Sequence, residues 1–186
     1  KPLADHLGDP DFRNTVFQDH VVMNEIRALE YPLQGDLVRD DFGVIIRQGN
    51  IPHVEKPALA EPDLAGYTFP DLSSETHMEH IDAWTEQYDD RFRIVNLVEM
   101  FSERTWFMRG FEQSMTDYYL NRRFMEELLD GLVEVCLRTT EALLRRYGDR
   151  IDAVGMTEDA GSEHAMLLGP ELWRQMIKPR LARIYS

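Results

Sequence analysis

The sequence predicts an α/β fold in which parallel strands are covered by helices. Two short apolar segments, residues 94–98 and 151–156, have the composition of buried strands. A long stretch with helical spacing separates them, so the order along the chain is strand, helix, strand. Because such a crossover joins parallel strands, the pattern indicates either an open doubly wound sheet or a closed barrel. A complete (β/α)8 barrel needs about 250 residues, so a barrel of 186 residues would be incomplete.

The first third of the chain predicts a helix, an extended segment and a loop. Apolar residues at helical spacing between residues 12 and 27 follow the start signal Asp9-Pro10 and predict a first helix. Residues 36–51 are rich in Val, Ile and Phe and are interrupted by glycines, which favours an extended segment or hairpin. Four prolines between residues 52 and 70 predict a loop on the surface.

The remaining elements are mostly helical. Helical spacing predicts helices over residues 75–88 and 101–119. Asn121 is a candidate cap for a long apolar-striped helix, for which Gly148 supplies the stop. A last helix is expected to begin near Pro170, because proline is favoured at the first helical position.

The composition and charge of the chain restrict its class of function. It has 20 basic and 34 acidic side chains, a formal net charge of −14, which would repel a nucleic acid backbone. No apolar run approaches the roughly 20 residues of a membrane helix, and the single Cys136 can form no internal disulfide. We therefore expect a cytoplasmic protein that binds neither nucleic acid nor membranes and forms one domain over residues 1–186. The sequence begins without Met and stops within a predicted helix, so we expect it to be a piece of a longer protein.

Acidic residues follow both predicted parallel strands. Glu99 comes after the first strand, and Glu158 and Asp159 come after the second. Sites in parallel α/β folds gather at the carboxyl ends of strands, where carboxylates can orient a substrate or exchange protons. The alternative is that one acid of each group caps the following helix while the other is solvated.

A second acidic pair and one arginine are further candidates. Asp40 and Asp41 precede an apolar extended segment and would lie at the mouth of a barrel, or they form the turn of a hairpin. Arg109 lies at the end of an apolar helix start and must find an anion or reach solvent. It could hold a substrate carboxylate, or it could pair with Glu103 or Glu112 at helical spacing.

Several common motifs are missing from the sequence. It contains no HExxH, CxxC or His-x-His spacing, so we predict no metal ligands within it. His164, which follows Asp159, is the nearest approach to a ligand cluster, with a hydrogen-bonding cap as the alternative. Glycine-rich phosphate loops are absent and Ser162 lies in no GxSxG elbow, which argues against nucleotide binding and serine hydrolysis.

Four segments together resemble the uroporphyrinogen decarboxylase superfamily. They are Asp-Asp-Phe-Gly-Val at residues 40–44, Pro-Asp-Leu-Ala-Gly-Tyr-Thr-Phe-Pro-Asp at 62–71, residues 101–112, and residues 158–180. The last segment is the most specific, because an acidic pair and a glycine precede Gly-Pro-Glu-Leu-Trp-Arg and then Lys-Pro-Arg. The resemblance implies a (β/α)8 barrel whose carboxy-terminal part is missing from residues 1–186, with chemistry on tetrapyrroles or their relatives.

Two branches of this superfamily are relevant to the resemblance. One removes carboxylates from uroporphyrinogen without a cofactor, and the other moves methyl groups to or from a corrinoid by using zinc. Asp41 or Asp40 matches the aspartate of the decarboxylase pattern, whereas residues 105–109 contain no matching Tyr and Asp159 stands in place of a Ser. These departures favour the methyltransferase branch, whose zinc ligands, a His-x-Cys and a later Cys, would fall after Ser186.

The sequence and the resemblance together predict an enzyme that acts on a tetrapyrrole-related or corrinoid-bound substrate and is similar to the methyltransferases. The predicted catalytic residues are Asp159, Glu99 and Asp41, and the predicted substrate-binding residues are Arg109, Glu158 and His164. The expected partners are a small-molecule substrate and a corrinoid protein, with zinc and corrinoid as cofactors of the full-length protein. The alternatives are a true uroporphyrinogen decarboxylase and a non-catalytic barrel that binds a small molecule.

Overall fold

The computed structural model describes residues 20–186 and contains two separate sheets and six helices in that range. The strands are β1 (Val21–Ile26), β2 (Glu30–Pro32), β3 (Leu37–Asp40), β4 (Ile45–Arg47), β5 (His53–Lys56), β6 (Phe92–Leu97) and β7 (Ala153–Met156). The helices are α1 (Glu75–Gln87), α2 (Arg104–Arg109), α3 (Phe111–Leu120), α4 (Arg122–Tyr147), α5 (Pro170–Met176) and α6 (Lys178–Ile184).

The parallel sheet has the strand order β1-β6-β7. Val95 in the central strand lies opposite Asn24 of β1 and opposite Val154 of β7, and both pairings are parallel. The strands predicted at residues 94–98 and 151–156 are therefore confirmed, together with the helical crossover that joins them. This crossover consists of α2, α3 and α4.

The first helix predicted over residues 12–27 is wrong where the structure can test it. Residues before His20 lie outside the described range, and Val21–Ile26 form a strand instead of a helix. Along that strand the exposed Met23 and Glu25 alternate with the more buried Asn24 and Ile26. Pairing with β6 buries this alternate set, and that tertiary contact overrides the local helical spacing.

The antiparallel sheet has the order β2-β3-β4-β5. Its centre is the hairpin predicted within residues 36–51, in which Leu37 lies opposite Arg47 and Gly43 occupies a positive φ of 85° in the turn. The proline-rich loop predicted over residues 52–70 is interrupted by a strand, because His53–Lys56 pairs with β4 as β5. The prolines at positions 52 and 57 lie just outside this strand, where they remove no ladder hydrogen bond.

The prediction of a (β/α)8 barrel, complete or partial, is wrong. In the described residues only three strands are parallel, and β1 and β7 stand at the edges of their sheet, so the sheet does not close. Between residues 30 and 56 the connections are short turns, and short turns join antiparallel neighbours instead of the parallel strands that a barrel requires. The architecture is a mixed α/β fold with one small parallel and one small antiparallel sheet.

One face of the parallel sheet carries the main apolar core. Val95 and Leu97 are buried on this face and belong to the same core as Leu128, Leu132 and Cys136 of α4. Side chains on the opposite face are more open, and Met23 of β1 keeps 66% of its surface exposed. The predicted apolar stripe of the long helix is therefore confirmed as core.

Several helices begin or end at glycines and prolines of the sequence. The helix predicted over residues 101–119 is split at Gly110, whose φ of 86° ends α2 and redirects the chain into α3. Asn121 stands at the start of α4, but its side-chain amide donates to Asp117 Oδ1 at 2.7 Å instead of capping the helix. Gly148 follows the last residue of α4 and Pro170 begins α5, as predicted. Within residues 20–186 no helix has the length and apolar character needed to cross a membrane.

Candidate functional site

The carboxyl ends of β6 and β7 are joined through the turn that leads into α2. The backbone N–H of Ser102 donates to Glu158 Oε1 at 2.9 Å, and the Ser102 hydroxyl donates to Glu158 Oε2. Nearby, the backbone N–H of Glu99 donates to Thr157 Oγ1 at 3.2 Å. The acidic segments that follow the two strands in sequence therefore meet in space, as expected for adjacent parallel strands.

Three carboxyl groups form a cluster at this edge, which we call the strand-end cluster: Glu103, Glu158 and Asp159. Glu103 is buried, Glu158 is partly buried and Asp159 is exposed. The backbone N–H of Asp159 bonds to the Glu103 carboxylate, which places the two groups beside each other. The cluster therefore runs from the protein interior to the solvent.

Burial makes Glu103 and Glu158 hold their protons more tightly than ordinary carboxyl groups do. Burial raises the pKa of Glu158 to about 7, although the two hydrogen bonds from Ser102 work in the opposite direction. Burial also raises the pKa of Glu103, and the negative charge of Asp159 adds to this effect. A carboxyl with a pKa near neutrality can both donate and accept a proton under physiological conditions.

A small cavity reaches the cluster from the side of α3. Its volume is about 10 Å³, close to that of one water molecule, and Ser102, Tyr118 and Asp159 contribute to its lining. Tyr118 is almost fully buried, and this burial raises the pKa of its hydroxyl. The phenol therefore stays protonated and is available only as a neutral hydrogen-bonding group.

Glu99, at the end of the central strand, has an unusual backbone conformation. Its φ is 53°, in the left-handed region that residues other than glycine rarely adopt. The bond from its N–H to Thr157 and a 2.7 Å bond from Arg104 Nε to its carbonyl oxygen hold this conformation. Its side chain is 43% exposed and lines an open polar cavity of about 220 Å³. Strain of this kind is often found at functional positions.

A buried ion pair stabilises the turn between β6 and α2. Arg104 Nη1 lies 2.7 Å from Asp40 Oδ2, and both side chains are almost completely buried. The guanidinium also lies over the rings of Phe42 and Phe107, at 4.5 and 5.0 Å from their centres. This pair connects the antiparallel sheet to the start of α2 and so positions the residues that contact Glu158.

Asp41 lies away from the strand-end cluster. Its Oδ2 accepts the Leu29 N–H at 2.7 Å and lies 2.9 Å from His77 Nε2, while its Oδ1 accepts the Tyr31 hydroxyl at 2.8 Å. Ser74 Oγ contacts the other ring nitrogen of His77 at 2.7 Å. Asp41 therefore connects the antiparallel sheet to the start of α1, and the structure does not bring it to Glu158.

The two remaining predicted binding residues are also placed outside the cluster. Arg109 forms a buried ion pair with Asp117 at 2.7 Å and donates to the Ala60 carbonyl oxygen at 2.6 Å, so it pairs with neither of the acids suggested by helical spacing. His164 is exposed, and its backbone N–H donates a hydrogen bond to Ser162 Oγ at 3.3 Å. The structure therefore unites Glu99, Glu158 and Asp159 at one edge and separates them from the other predicted residues.

Sequence reasoning missed Ser102 and Glu103 as parts of the site. Both follow the predicted strand closely, but the segment 101–119 reads as one continuous helix. In the structure α2 begins at Arg104, and the preceding turn directs Ser102 toward β7. The available signal was a polar pair, Ser102 and Glu103, in the short segment between a buried strand and the next helix.

The described residues offer no site that fits zinc. In residues 20–186 no three His, Cys, Asp or Glu side chains come together in an arrangement that could hold a metal ion. Cys136 is buried on the core-facing side of α4, and burial raises the pKa of its thiol to about 12, which disfavours the thiolate that zinc binds. We therefore assign no metal-dependent step to these residues.

Comparison with known proteins yields no relative of this chain. Neither the protein-family models, nor the curated proteins, nor the solved structures contain a significant match. The case for a function therefore rests on the motifs of the sequence and on the geometry of the strand-end cluster.

Proposed function

We propose that this chain is an enzyme related to the uroporphyrinogen decarboxylase superfamily, that it acts on a tetrapyrrole-related or corrinoid-bound small molecule, and that it is closer to the methyltransferases than to the decarboxylases. In this proposal the corrinoid is a substrate carried by a separate protein. The proposal concerns the chemistry of the strand-end cluster, and a barrel is not part of it.

Contacts between the segments that carry the resemblance support this proposal. The ion pair of Arg104 with Asp40 joins segment 101–112 to segment 40–44. The bonds between Ser102 and Glu158 join segment 101–112 to segment 158–180. The hydroxyl of Tyr67 in segment 62–71 donates to the carbonyl oxygen of Phe42 at 3.0 Å. Residues chosen only for their resemblance to one family therefore form one connected part of the molecule.

The observation that carries the proposal is the paired bonding of Glu158 by Ser102 at the carboxyl end of β7. The two bonds orient the carboxyl group, while burial keeps its pKa near neutrality. In methyl transfer from the corrinoid to a thiol, the Glu158 carboxylate would accept the thiol proton as the sulfur forms its bond to the methyl carbon, and the corrinoid would leave with the electron pair of the bond that breaks. The exposed Asp159 would orient the substrate at the opening. Ser102 is a positioning residue in this scheme, because it acts through Glu158.

The charge of the site favours methyl transfer over removal of carboxylates. Uroporphyrinogen arms are carboxylates, and the strand-end cluster consists of carboxyl groups and contains no cation that could bind them. Arg109, the candidate that could attract such an arm, is paired with Asp117 in the interior. A neutral or cationic methyl donor needs no such cation.

A paired assay tests the proposal. The protein is incubated with methylcobalamin and a thiol, and loss of the methylcobalamin absorbance is followed; uroporphyrinogen decarboxylation is measured in parallel by chromatography. We expect methyl transfer that falls at least tenfold in Glu158→Gln. Glu163→Gln serves as a matched control, because Glu163 is an exposed acid a few residues further along the same loop. Decarboxylated product without methyl transfer would support the other branch, and binding without turnover would indicate a non-catalytic protein.

A further inference from the structure

An apolar cavity of about 360 Å³ lies between strand β5 and the junction of α2 with α3. Its lining residues are Val54, Pro57, Trp106, Phe107, Gly110 and Phe111. The rings of Trp106 and Phe111 meet edge to face, with centres 5.3 Å apart and planes at 78°. Two aromatic walls therefore meet nearly at a right angle, and Phe111 keeps about half of its surface, 52%, exposed at the entrance.

The turn at Gly110 creates this arrangement. Its positive φ ends α2 after Arg109 and starts α3 at Phe111, so Trp106 in one helix faces Phe111 in the next. A Cβ atom at position 110 would lie 3.0 Å from the Gln113 side-chain oxygen and 3.7 Å from Pro57. Both the backbone angle and the space therefore suit glycine at this position.

The polar cavity beside Glu99 shares one wall with the apolar cavity. Phe107 lines both cavities, and the second cavity also contains Glu30, Glu99, Arg27 and His53. The basic groups there have acidic partners, because Arg27 forms an ion pair with Glu25 and His53 lies 3.9 Å from Glu55.

The carboxylate of Glu99 is only weakly neutralised. Within residues 20–186 its nearest cation is Arg104, whose Nη2 lies 3.9 Å away. The same guanidinium already pairs with Asp40 at 2.7 Å, so one positive charge serves two carboxylates. The carboxylates of Glu30 and Glu99 therefore give the polar cavity an excess of negative charge, and Phe107 separates this charge from the apolar cavity.

We infer that the apolar cavity binds an organic cation with apolar substituents, such as a quaternary ammonium group. Aromatic faces attract such cations through their negative quadrupoles, and tryptophan does so most strongly. The methyl groups of the ligand would pack against Val54 and Pro57 while its charge faces the side of Glu99. The net charge of −14 would also raise the local concentration of cations. This inference goes beyond the proposed function, because it concerns binding and requires no reaction.

Two ligands of the same shape test this inference on the full chain. Choline and 3,3-dimethylbutan-1-ol differ only in the exchange of the charged nitrogen for carbon, and ligand-observed NMR titration reports the binding of each without any corrinoid present. We expect choline to bind at least tenfold more tightly than the alcohol. Equal binding of the two would show that the cavity recognises apolar shape alone, and absence of choline binding would overturn the inference directly.

Variants locate the binding. Trp106→Leu is expected to abolish the preference for choline, whereas Trp106→Phe should retain most of it because an aromatic face remains. Trp84→Leu is the matched control, since Trp84 lies in α1 and does not line the cavity. Glu99→Gln should weaken choline at least threefold and leave the alcohol unchanged. An unaltered preference in both Trp106→Leu and Glu99→Gln, with circular dichroism confirming folding, would place the binding elsewhere and refute the inference.

Discussion

Replacing Glu158 by Gln should change how the stability of the protein depends on pH. Burial raises the pKa of the Glu158 carboxyl in the folded protein to about 7, from an ordinary value of 4.5 in an unfolded chain. The folded state therefore binds the proton more tightly than the unfolded state does. The stabilisation that this proton supplies is fully present below about pH 4.5 and is lost as the pH rises through about 7.

The size of this effect follows from the two pKa values. Their difference, 7 minus 4.5, is 2.5, and each tenfold change in proton affinity is worth about 1.36 kcal/mol. The contribution of Glu158 to the free energy of unfolding should thus be about 3 kcal/mol smaller at pH 8, where the group is ionised, than at pH 4. Gln cannot ionise, so Glu158→Gln should lack this contribution while retaining a side chain of the same size.

Urea denaturation from pH 4 to pH 8.5 measures the effect. The free energy of unfolding of Glu158→Gln minus that of the unchanged protein should rise by about 3 kcal/mol across this range. Subtracting the two curves removes the titration of all other groups, and Glu163→Gln should show no such rise because Glu163 is exposed. A difference that stays constant with pH would refute the argument that Glu158 is buried with a raised pKa.

Three further predictions concern the framework of the site. Arg104→Met should lower the free energy of unfolding by about 3–5 kcal/mol in chemical denaturation, because it leaves Asp40 buried without its partner, and Asp40→Asn in the same chain should recover part of the loss. Gly131→Ala should destabilise the chain by about 1–3 kcal/mol, although alanine has the better helix propensity, because the new Cβ would lie 2.1 Å from the Phe69 ring. Phe69→Leu in the same chain should relieve this clash. Thermal melts measure both variants, and a higher melting temperature in Gly131→Ala alone would contradict the predicted clash. Glu99→Gly should raise the free energy of unfolding by about 1 kcal/mol, because glycine tolerates the left-handed φ of 53°, and a destabilised variant would mean that the conformation carries little strain.

The strand-end cluster shows how a reactive group can be prepared by its surroundings. Ser102 directs two hydrogen bonds at Glu158, and these bonds favour the ionised carboxylate. Burial and the neighbouring acids favour the protonated form and outweigh the bonds. The carboxyl group is therefore fixed in orientation while its charge remains responsive near neutral pH.

Local sequence patterns correctly predicted the elements whose buried residues recur with the period of a helix or form a continuous apolar strand. The stripe of α4 and the apolar runs of β6 and β7 are visible without tertiary information, because their periods match helix and strand geometry. The strand β1 was mistaken for a helix and β5 for a loop, since each becomes a strand only by pairing with a neighbour. The barrel implied by the resemblance failed for the same reason, because closure depends on which strands pair.

The sequence by itself determined that acidic residues would follow two parallel strands, and Glu99, Glu158 and Asp159 do follow β6 and β7. Pairing of β6 with β7 then brings these residues to one edge of the sheet, because the carboxyl ends of neighbouring parallel strands coincide. Only the tertiary structure decided which charges would be neutralised. Arg109 pairs with Asp117 because the chain turns between α2 and α3, and Asp41 lies beside His77 because the antiparallel sheet packs against the start of α1. Side-chain partners depend on such turns and packing, and no sequence spacing encodes them.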